Sequence, residues 1–164
     1  MGAVINLFPP RDDFSNELRQ AKNVYPEELY VALEGILSCK PTDILRTAVC
    51  DGEVIGVMKL WGYSNKRRSG VMHVLTLPTP KLASLATLSL NIARAEVKTS
   101  VEQFLRLCFN THSRLDKIYW NVHPKDEWVH EMCRNFTFKE LGASSSFVDS
   151  NGVRYHSFFL ERLK

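Results

Sequence analysis

Ile118-Tyr119-Trp120-Asn121-Val122-His123-Pro124-Lys125-Asp126, followed further on by Phe136-Thr137-Phe138-Lys139-Glu140, is the stretch on which the fold turns. Lys117 to Val122 reads as a compact strand, since β-branched and aromatic residues suit a pleated surface. From Pro124 to Asn135 the apolar residues Val129, Met132 and Cys133, with Phe136 just beyond, recur at the spacing of one helix face. Phe138 onward returns to strand character. Strand, turn, helix and strand in quick succession point to a mixed α/β domain.

Toward the carboxyl end, Ser150-Asn151-Gly152 is a turn signal and Tyr155 to Leu163 closes the chain as a strand. Toward the amino end, Val97, Val101, Phe104, Leu105 and Cys108 repeat at helical spacing, with Glu102, Gln103 and Arg106 on the other face. This predicts a helix starting near residue 97. Val71 to Leu77 and Leu85 to Ile92 read as strands separated by Pro78-Thr79-Pro80, which cannot lie inside a central strand. Ile44 to Cys50 and Val54 to Tyr63 flank Asp51-Gly52, the clearest hairpin signal in the chain.

The first residues hold a short strand, Val4 to Phe8, stopped by Pro9-Pro10. Asp12 or Asp13 caps a helix carrying Phe14, Leu18 and Ala21, with Asn23 as its stop. Pro26 opens a second one carrying Leu29, Leu33, Ile36 and Leu37, ended by Ser38 to Thr42. The predicted order is a short strand, two helices, an antiparallel meander, a helix, a strand, a helix and a terminal hairpin. It has no internal repeat and makes one domain over residues 1–164.

Composition agrees with a packed core: 164 residues, 45% hydrophobic and 24% charged. The net charge of +3 comes from 21 basic and 18 acidic residues that are interspersed, so there is no clear nucleic-acid signal. Lys66-Arg67-Arg68 beside Gly70 reads as a solvated hairpin tip, with a partner or phosphate contact as the alternative. Cys39, Cys50, Cys108 and Cys133 form no C-x-x-C pair and fall in apolar segments, as reduced, buried thiols in a cytoplasmic protein do. No charged and then apolar leader opens the chain, and no apolar run approaches the roughly 18 residues of a membrane span, so neither export nor membrane insertion is expected.

This order, above all from Leu88 to Lys164, resembles the GCN5-related N-acetyltransferases, particularly the branch that modifies ribosomal-protein amino termini and small amines. The opening stretch looks like the family's strand, V-x-P-x-N turn, helix and G-F-x-x-x-G segment. Gly142, Asn151-Gly152 and Tyr155 to Leu160 sit where its last hairpin runs. The family's asparagine is Asp126 here, and its glycine before phenylalanine is Thr137. The resemblance implies an α/β fold of the α+β type, with a mixed, mainly antiparallel central sheet and helices on both faces. It also implies acetyl-CoA as acyl donor and an amine-bearing peptide, protein or small molecule as acceptor.

In the family a glycine-rich loop opens the central helix and holds the cofactor pyrophosphate with backbone N–H groups at the positive helix end. The matching stretch here is Ala93-Arg94-Ala95-Glu96-Val97-Lys98-Thr99-Ser100, with alanines where glycines would fall and Glu96 among the donors. Alanine resists positive φ, and a carboxylate repels a pyrophosphate. Arg94 and Lys98 either offset that or are ordinary surface charge. The resemblance thus implies Asn91, Ile92, Ala93, Arg94, Ala95, Val97, Lys98, Thr99 and Asp126 as cofactor contacts.

Amine attack on a thioester needs a base, a donor for the carbonyl oxygen and an acid for the departing thiolate. The family's tyrosine acid falls at Cys133, which is either a substitute acid or a packed core thiol. The serine of other branches falls at Val129, which cannot transfer a proton. Glu53, Glu96, His73 and His123 are base candidates, His73 being equally a structural histidine. Trp61, Tyr63 and Tyr119 line an acceptor pocket or the core. His123 and His130 lie seven apart with no third ligand, so no metal is expected.

Two functions fit these residues: an acetyl-CoA-dependent N-acyltransferase, or a catalytically degenerate domain of the same fold that binds a protein partner or serves as a structural part. Some bacteriophage virion and early proteins resemble the second. A V-shaped slot between a strand ending near Ile92 and the strand Ile118 to Val122 separates them, for there the cofactor arm would lie.

Overall fold

Asp51 and Gly52 have φ of 51° and 81°. This is the left-handed pair that lets a two-residue turn follow the twist of its strands. They join β2 (Ile44–Cys50) to β3 (Glu53–Ser64). The computed structural model describes residues 5–9, 38–76, 90–125, 127–136, 138–149 and 151–162. Its other strands are β1 (Ile5–Phe8), β4 (Ser69–Thr76), β5 (Lys117–Val122), β6 (Lys139–Val148) and β7 (Arg154–Glu161). Its helices are α1 (Leu90–Thr111) and α2 (Glu127–Asn135).

The strands form one seven-stranded sheet in the order β1-β2-β3-β4-β5-β7-β6. β1–β2, β5–β7 and β6–β7 are antiparallel, whereas β4–β5 is parallel. A parallel pair needs a long crossover, and α1 lies in that connection. The expected α+β architecture with a mainly antiparallel sheet is therefore present.

Two expectations are corrected. Leu90, Asn91 and Ile92 are helical, not the end of a strand, and α1 begins at Leu90 rather than near residue 97. No glycine or proline occurs between Lys81 and Thr111, and Ala93, Arg94, Ala95 and Glu96 favour the helix. The helix expected from Pro124 starts at Glu127 after a turn at Pro124 and Lys125. The helices predicted over residues 12–23 and 26–37, the segment 77–89, and Asp126, Thr137 and Ser150 lie outside the described residues.

The chain divides into two compact units, Met1–Lys59 with Val74–Leu107 and Leu60–His73 with Cys108–Lys164. In the first, Ile5, Ala48, Cys50 and Ile55 form a buried cluster against which Leu7 and Val97 pack. Lys59 is buried within β3, yet its ammonium is not stranded. It donates to the Ser38 carbonyl at 2.5 Å and lies 3.8 Å from Asp43. Cys50, Cys108 and Cys133 are buried free thiols, but Cys39 is exposed, because it lies in the irregular lead into β2 instead of an apolar element.

In the second unit, β5 alternates: Ile118, Trp120 and Val122 are buried while Lys117, Tyr119 and Asn121 are half-buried. Phe138 meets Trp120 edge-on at 6.0 Å, and Phe158 is fully buried. Arg68, at φ 55°, is a structural residue rather than part of a merely solvated tip. Its carbonyl accepts from Asp116 N–H at 2.8 Å and Lys117 N–H at 3.3 Å, and its guanidinium pairs with Asp116 at 2.8 Å. Arg162, just past β7, donates to the carbonyls of Phe109, His112 and Leu115, each at 2.8 Å. Its guanidinium also sits over the Phe109 ring at 5.0 Å. A cation is thus fixed on the negative end of α1, where the last carbonyls lack helical partners.

Arg162→Met is expected to lose about 2 to 3 kcal/mol of stability in urea unfolding, since charge-assisted bonds to three carbonyls disappear together. At Gly70 an added Cβ would meet Leu60 Cδ1 at 2.9 Å, and Leu60 is fully buried. Gly70→Ala should therefore cost about 1 to 3 kcal/mol in the same measurement.

Candidate functional site

The parallel register runs Ser69↔Lys117, Gly70↔Ile118, Val71↔Tyr119 and Met72↔Trp120 and goes no further among the described residues. Both strands continue, β4 to Thr76 and β5 to Val122. On its other side β5 stays paired to the end, with Asn121 opposite Ser157 and Val122 opposite His156. The edge of β5 toward β4 therefore leaves the ladder after Trp120, at the carboxyl end of the parallel pair. Carboxyl ends of parallel strands are where open α/β sheets commonly bind ligands.

Side chains alternate along a strand, so the register sorts them. Met72 (2% exposed) and Trp120 (4%) share the buried face. Val71, His73, Tyr119, Asn121 and Ser157 share the opposite one, His73 exposed and the others half-buried. The Ser157 hydroxyl donates a short hydrogen bond to Asn121 Oδ1. Among the described residues nothing takes the donors on the Asn121 amide nitrogen. Sequence reasoning missed Asn121 and Ser157; the only signal was the alternation of β5, and the strand paired with it could not be read.

A second polar cluster joins the end of β5 to the β6–β7 turn. His123 Nε2 lies 2.9 Å from Asp149 Oδ2, and His123 Nδ1 accepts from Lys125 N–H at 3.2 Å. This pattern places the ring proton on Nε2. Asp149 Oδ1 accepts from the N–H groups of Asn151 and Val153 at 2.9 and 2.8 Å, which fixes the turn. The hydrogen bond from His123, then the Val153 and Asn151 N–H groups, hold the Asp149 carboxyl below its ordinary value. His130, buried on α2, lies 3.1 Å through Nε2 from the His123 carbonyl and packs edge-on against His156 and Phe158. His156 in turn lies 3.1 Å from Glu140.

The residues nominated from the sequence are thereby placed. Cys133 is fully buried on α2, and burial pushes its thiol up to about 12, against a smaller opposing pull from Arg134. Val129 is buried on the same helix. Asn91, Ile92, Ala93, Arg94, Ala95, Val97, Lys98 and Thr99 lie within α1 rather than in a loop before it. The N–H groups of Val97, Lys98 and Thr99 are consequently committed to helical bonds. Lys98 is half-buried and Thr99 exposed.

Among the base candidates, His123 has both ring nitrogens engaged, Glu96 is half-buried on α1, and Glu53 begins β3. His73 alone stands in the polar row at the end of the parallel pair. Tyr63 stacks on His112 with ring centroids 4.1 Å apart, and Tyr119 lies 6.1 Å from Phe159. No helix among the described residues is long and apolar enough to cross a membrane.

No family model and no curated protein matches the sequence. Solved structures do. Spermidine/spermine N-acetyltransferase SpeG from Vibrio cholerae is 14% identical with a TM-score of 0.64, the match covering 96% of this chain and 92% of that one. A candidate acetyltransferase from T. thermophilus is 14% identical with a TM-score of 0.63, over 98% and 87% of the two chains. Another candidate acetyltransferase is 15% identical with a TM-score of 0.67, over 98% and 84%. The chain has the fold of these acetyltransferases.

Because the Asp149 carboxyl is held below its ordinary value of 3.8, its contribution to stability is complete above that pH and is lost as pH falls through the lower folded value. Asp149→Asn is therefore expected to lower the melting temperature at neutral pH. The gap to the wild type should close progressively below about pH 4 in melts recorded across the acid range.

Proposed function

We propose that this chain is an acetyl-CoA-dependent N-acyltransferase acting on a primary amine of a peptide, protein or small molecule. The observation that carries the reading is the parallel β4–β5 pair whose rungs stop at Met72 and Trp120 while both strands run on, in a fold shared with solved N-acetyltransferases. Past Trp120 the backbone of β5 offers N–H and C=O groups on one edge. An extended, amide-bearing arm can take the place of a strand there, because main-chain hydrogen bonding does not depend on what supplies the opposite groups.

In this proposal Asn91, Ile92, Ala93, Arg94 and Lys98 on α1 are retained from the resemblance as the phosphate contacts. Ala95, Val97 and Thr99 follow in the helix, and Asp126 is retained from the resemblance as a contact.

Cys133 separates into its two readings on chemistry. A thiol at about 12 is a poor proton donor to a departing thiolate whose ordinary value is about 8.5. Cys133 is accordingly a packed core thiol in this proposal, and the leaving group takes its proton from solvent. The free thiols suit a reducing compartment such as the cytoplasm.

A second reading, a domain that keeps the fold for recognition, draws on α1 itself. Helix runs through the stretch where a glycine loop would wrap a pyrophosphate. Calorimetric titration with acetyl-CoA and with free coenzyme A decides between the two. The acyltransferase reading expects micromolar binding, weakened about tenfold by Arg94→Ala or Lys98→Ala, as a lost phosphate contact of about 1.4 kcal/mol would give. No binding at millimolar ligand would favour recognition.

A further inference from the structure

The β3–β4 turn and the connection from α1 to β5 meet at the amino end of the parallel pair, where Ser69 faces Lys117, and both are fixed. In the turn, Arg68 N–H donates to the Ser64 carbonyl at 2.9 Å and Arg67 N–H to the Ser64 hydroxyl at 3.1 Å. The Tyr63 hydroxyl donates to Asn65 Oδ1 at 2.8 Å, and its ring stacks on His112. In the connection, Leu115 is fully buried and its carbonyl accepts from Arg162. Arg68 joins the two segments, since its Nε lies 3.3 Å from the Arg114 carbonyl and 2.8 Å from Asp116. Residues 46 and 48 apart in the chain thereby come together.

Lys66, Arg67, Arg68 and Arg114 are exposed at this corner, with half-buried Asp116 as the carboxylate among them. Four cations against one carboxylate give +3, which is the net charge of the whole chain, so all the other residues together balance to zero. Charges that read as interspersed along the sequence are therefore concentrated in space. Arg68 spends its guanidinium on Asp116 and the Arg114 carbonyl. Among the described residues no hydrogen bond or ion pair engages the side chains of Lys66, Arg67 and Arg114. Lys117, at the margin, faces Glu161 in the β5–β7 register.

The chemistry of the corner selects its ligand. Two guanidinium forks and an ammonium held in one place suit phosphate oxygens. The exposed large apolar side chains among the described residues, Leu141, Val148 and Val153, lie on β6 and the turn after it, not here. A protein partner or a lipid surface would be met by apolar anchors among the cations. A platform for unstacked bases would need open aromatic faces, and the Tyr63 ring is stacked on His112. A DNA duplex needs neither, because it carries one charge per roughly 1.7 Å of axis and binds fixed cations by releasing counterions.

We propose that this corner binds the phosphate backbone of duplex DNA without reading its sequence, through Lys66, Arg67 and Arg114, while Arg68 and Asp116 hold the two segments together. The backbone beneath these cations is already pinned, so binding has only their side chains to order. The corner lies at the opposite end of the parallel pair from Met72 and Trp120, and DNA binding there does not require acyl transfer.

Fluorescence anisotropy of a labelled duplex of about 20 base pairs, titrated with the full chain at about 50 mM salt, should give a Kd of about 10 μM for each of two unrelated sequences. The slope of log K against log salt should be about −3, one unit for each free cation. Arg67→Gln with Arg114→Gln should weaken binding at least about tenfold and reduce that slope by about 2. Arg134→Gln with Arg154→Gln removes the same charge from exposed positions on α2 and β7, and it should change the Kd by less than about twofold. No anisotropy change up to about 300 μM protein overturns the assignment. Equal weakening by the two double variants overturns it too, because the attraction would then belong to the whole surface. Tighter binding of a single strand of the same length, or of phosphatidylserine vesicles, than of the duplex does the same. Melting temperatures of both double variants within a few degrees of the wild type show that a loss comes from the corner and not from unfolding.

Discussion

The parallel register of β4 against β5 is the constraint on which the arrangement of the sheet around β5 depends, and it is anchored at one end by Arg68. Two strands joined through a helical crossover cannot set their own register as a tight hairpin does, because no short turn fixes which residues face each other. Arg68 supplies the missing fixture: one carbonyl takes two N–H groups at the start of β5, while its guanidinium grips Asp116. With the start pinned, Ser69 falls opposite Lys117 and the fourth rung falls at Met72 and Trp120. Slipping by one residue would turn Trp120 to the half-open face and Asn121 into the core, so the core and the polar row are specified by the same contact.

The helices show a related division between burial and electrostatics. α1 places Val101, Phe104, Leu105 and Cys108 inward, but its closing turn is held by Arg162, a residue from the far end of the chain. α2 likewise buries Val129, Met132 and Cys133, and its His130 reaches the carbonyl of His123. Apolar spacing decides that these helices form; distant polar groups decide where they stop and which carbonyls they satisfy.

That division explains how much could be read from the sequence. The Asp51-Gly52 hairpin, β5 and the body of α2 were legible because turn chemistry and apolar period act over a few neighbours. The sequence hides the helical character of Leu90 to Ile92 because Leu88, Leu90 and Ile92 alternate as in a strand and a family loop is expected to follow them, whereas the alanine-rich continuation is helical with Leu90 to Ile92. Asn121 with Ser157, Arg68 with Asp116 and His123 with Asp149 are separated by 36, 48 and 26 residues, and no local pattern encodes such pairings.

β6 is the last strand of the sheet, and its register with β7 is interrupted twice, between Glu140 and Gly142 and between Ala143 and Val148. Leu141 and Val148, two of the most exposed large apolar side chains, sit at those interruptions. An outermost strand with such residues would ordinarily template the addition of another chain. Here the irregular spacing leaves an incoming strand only short runs of aligned N–H and C=O groups before the pattern shifts. The bulges thus act as a guard against fibril growth, allowing the chain to carry greasy residues on its rim without offering a continuous edge to copy.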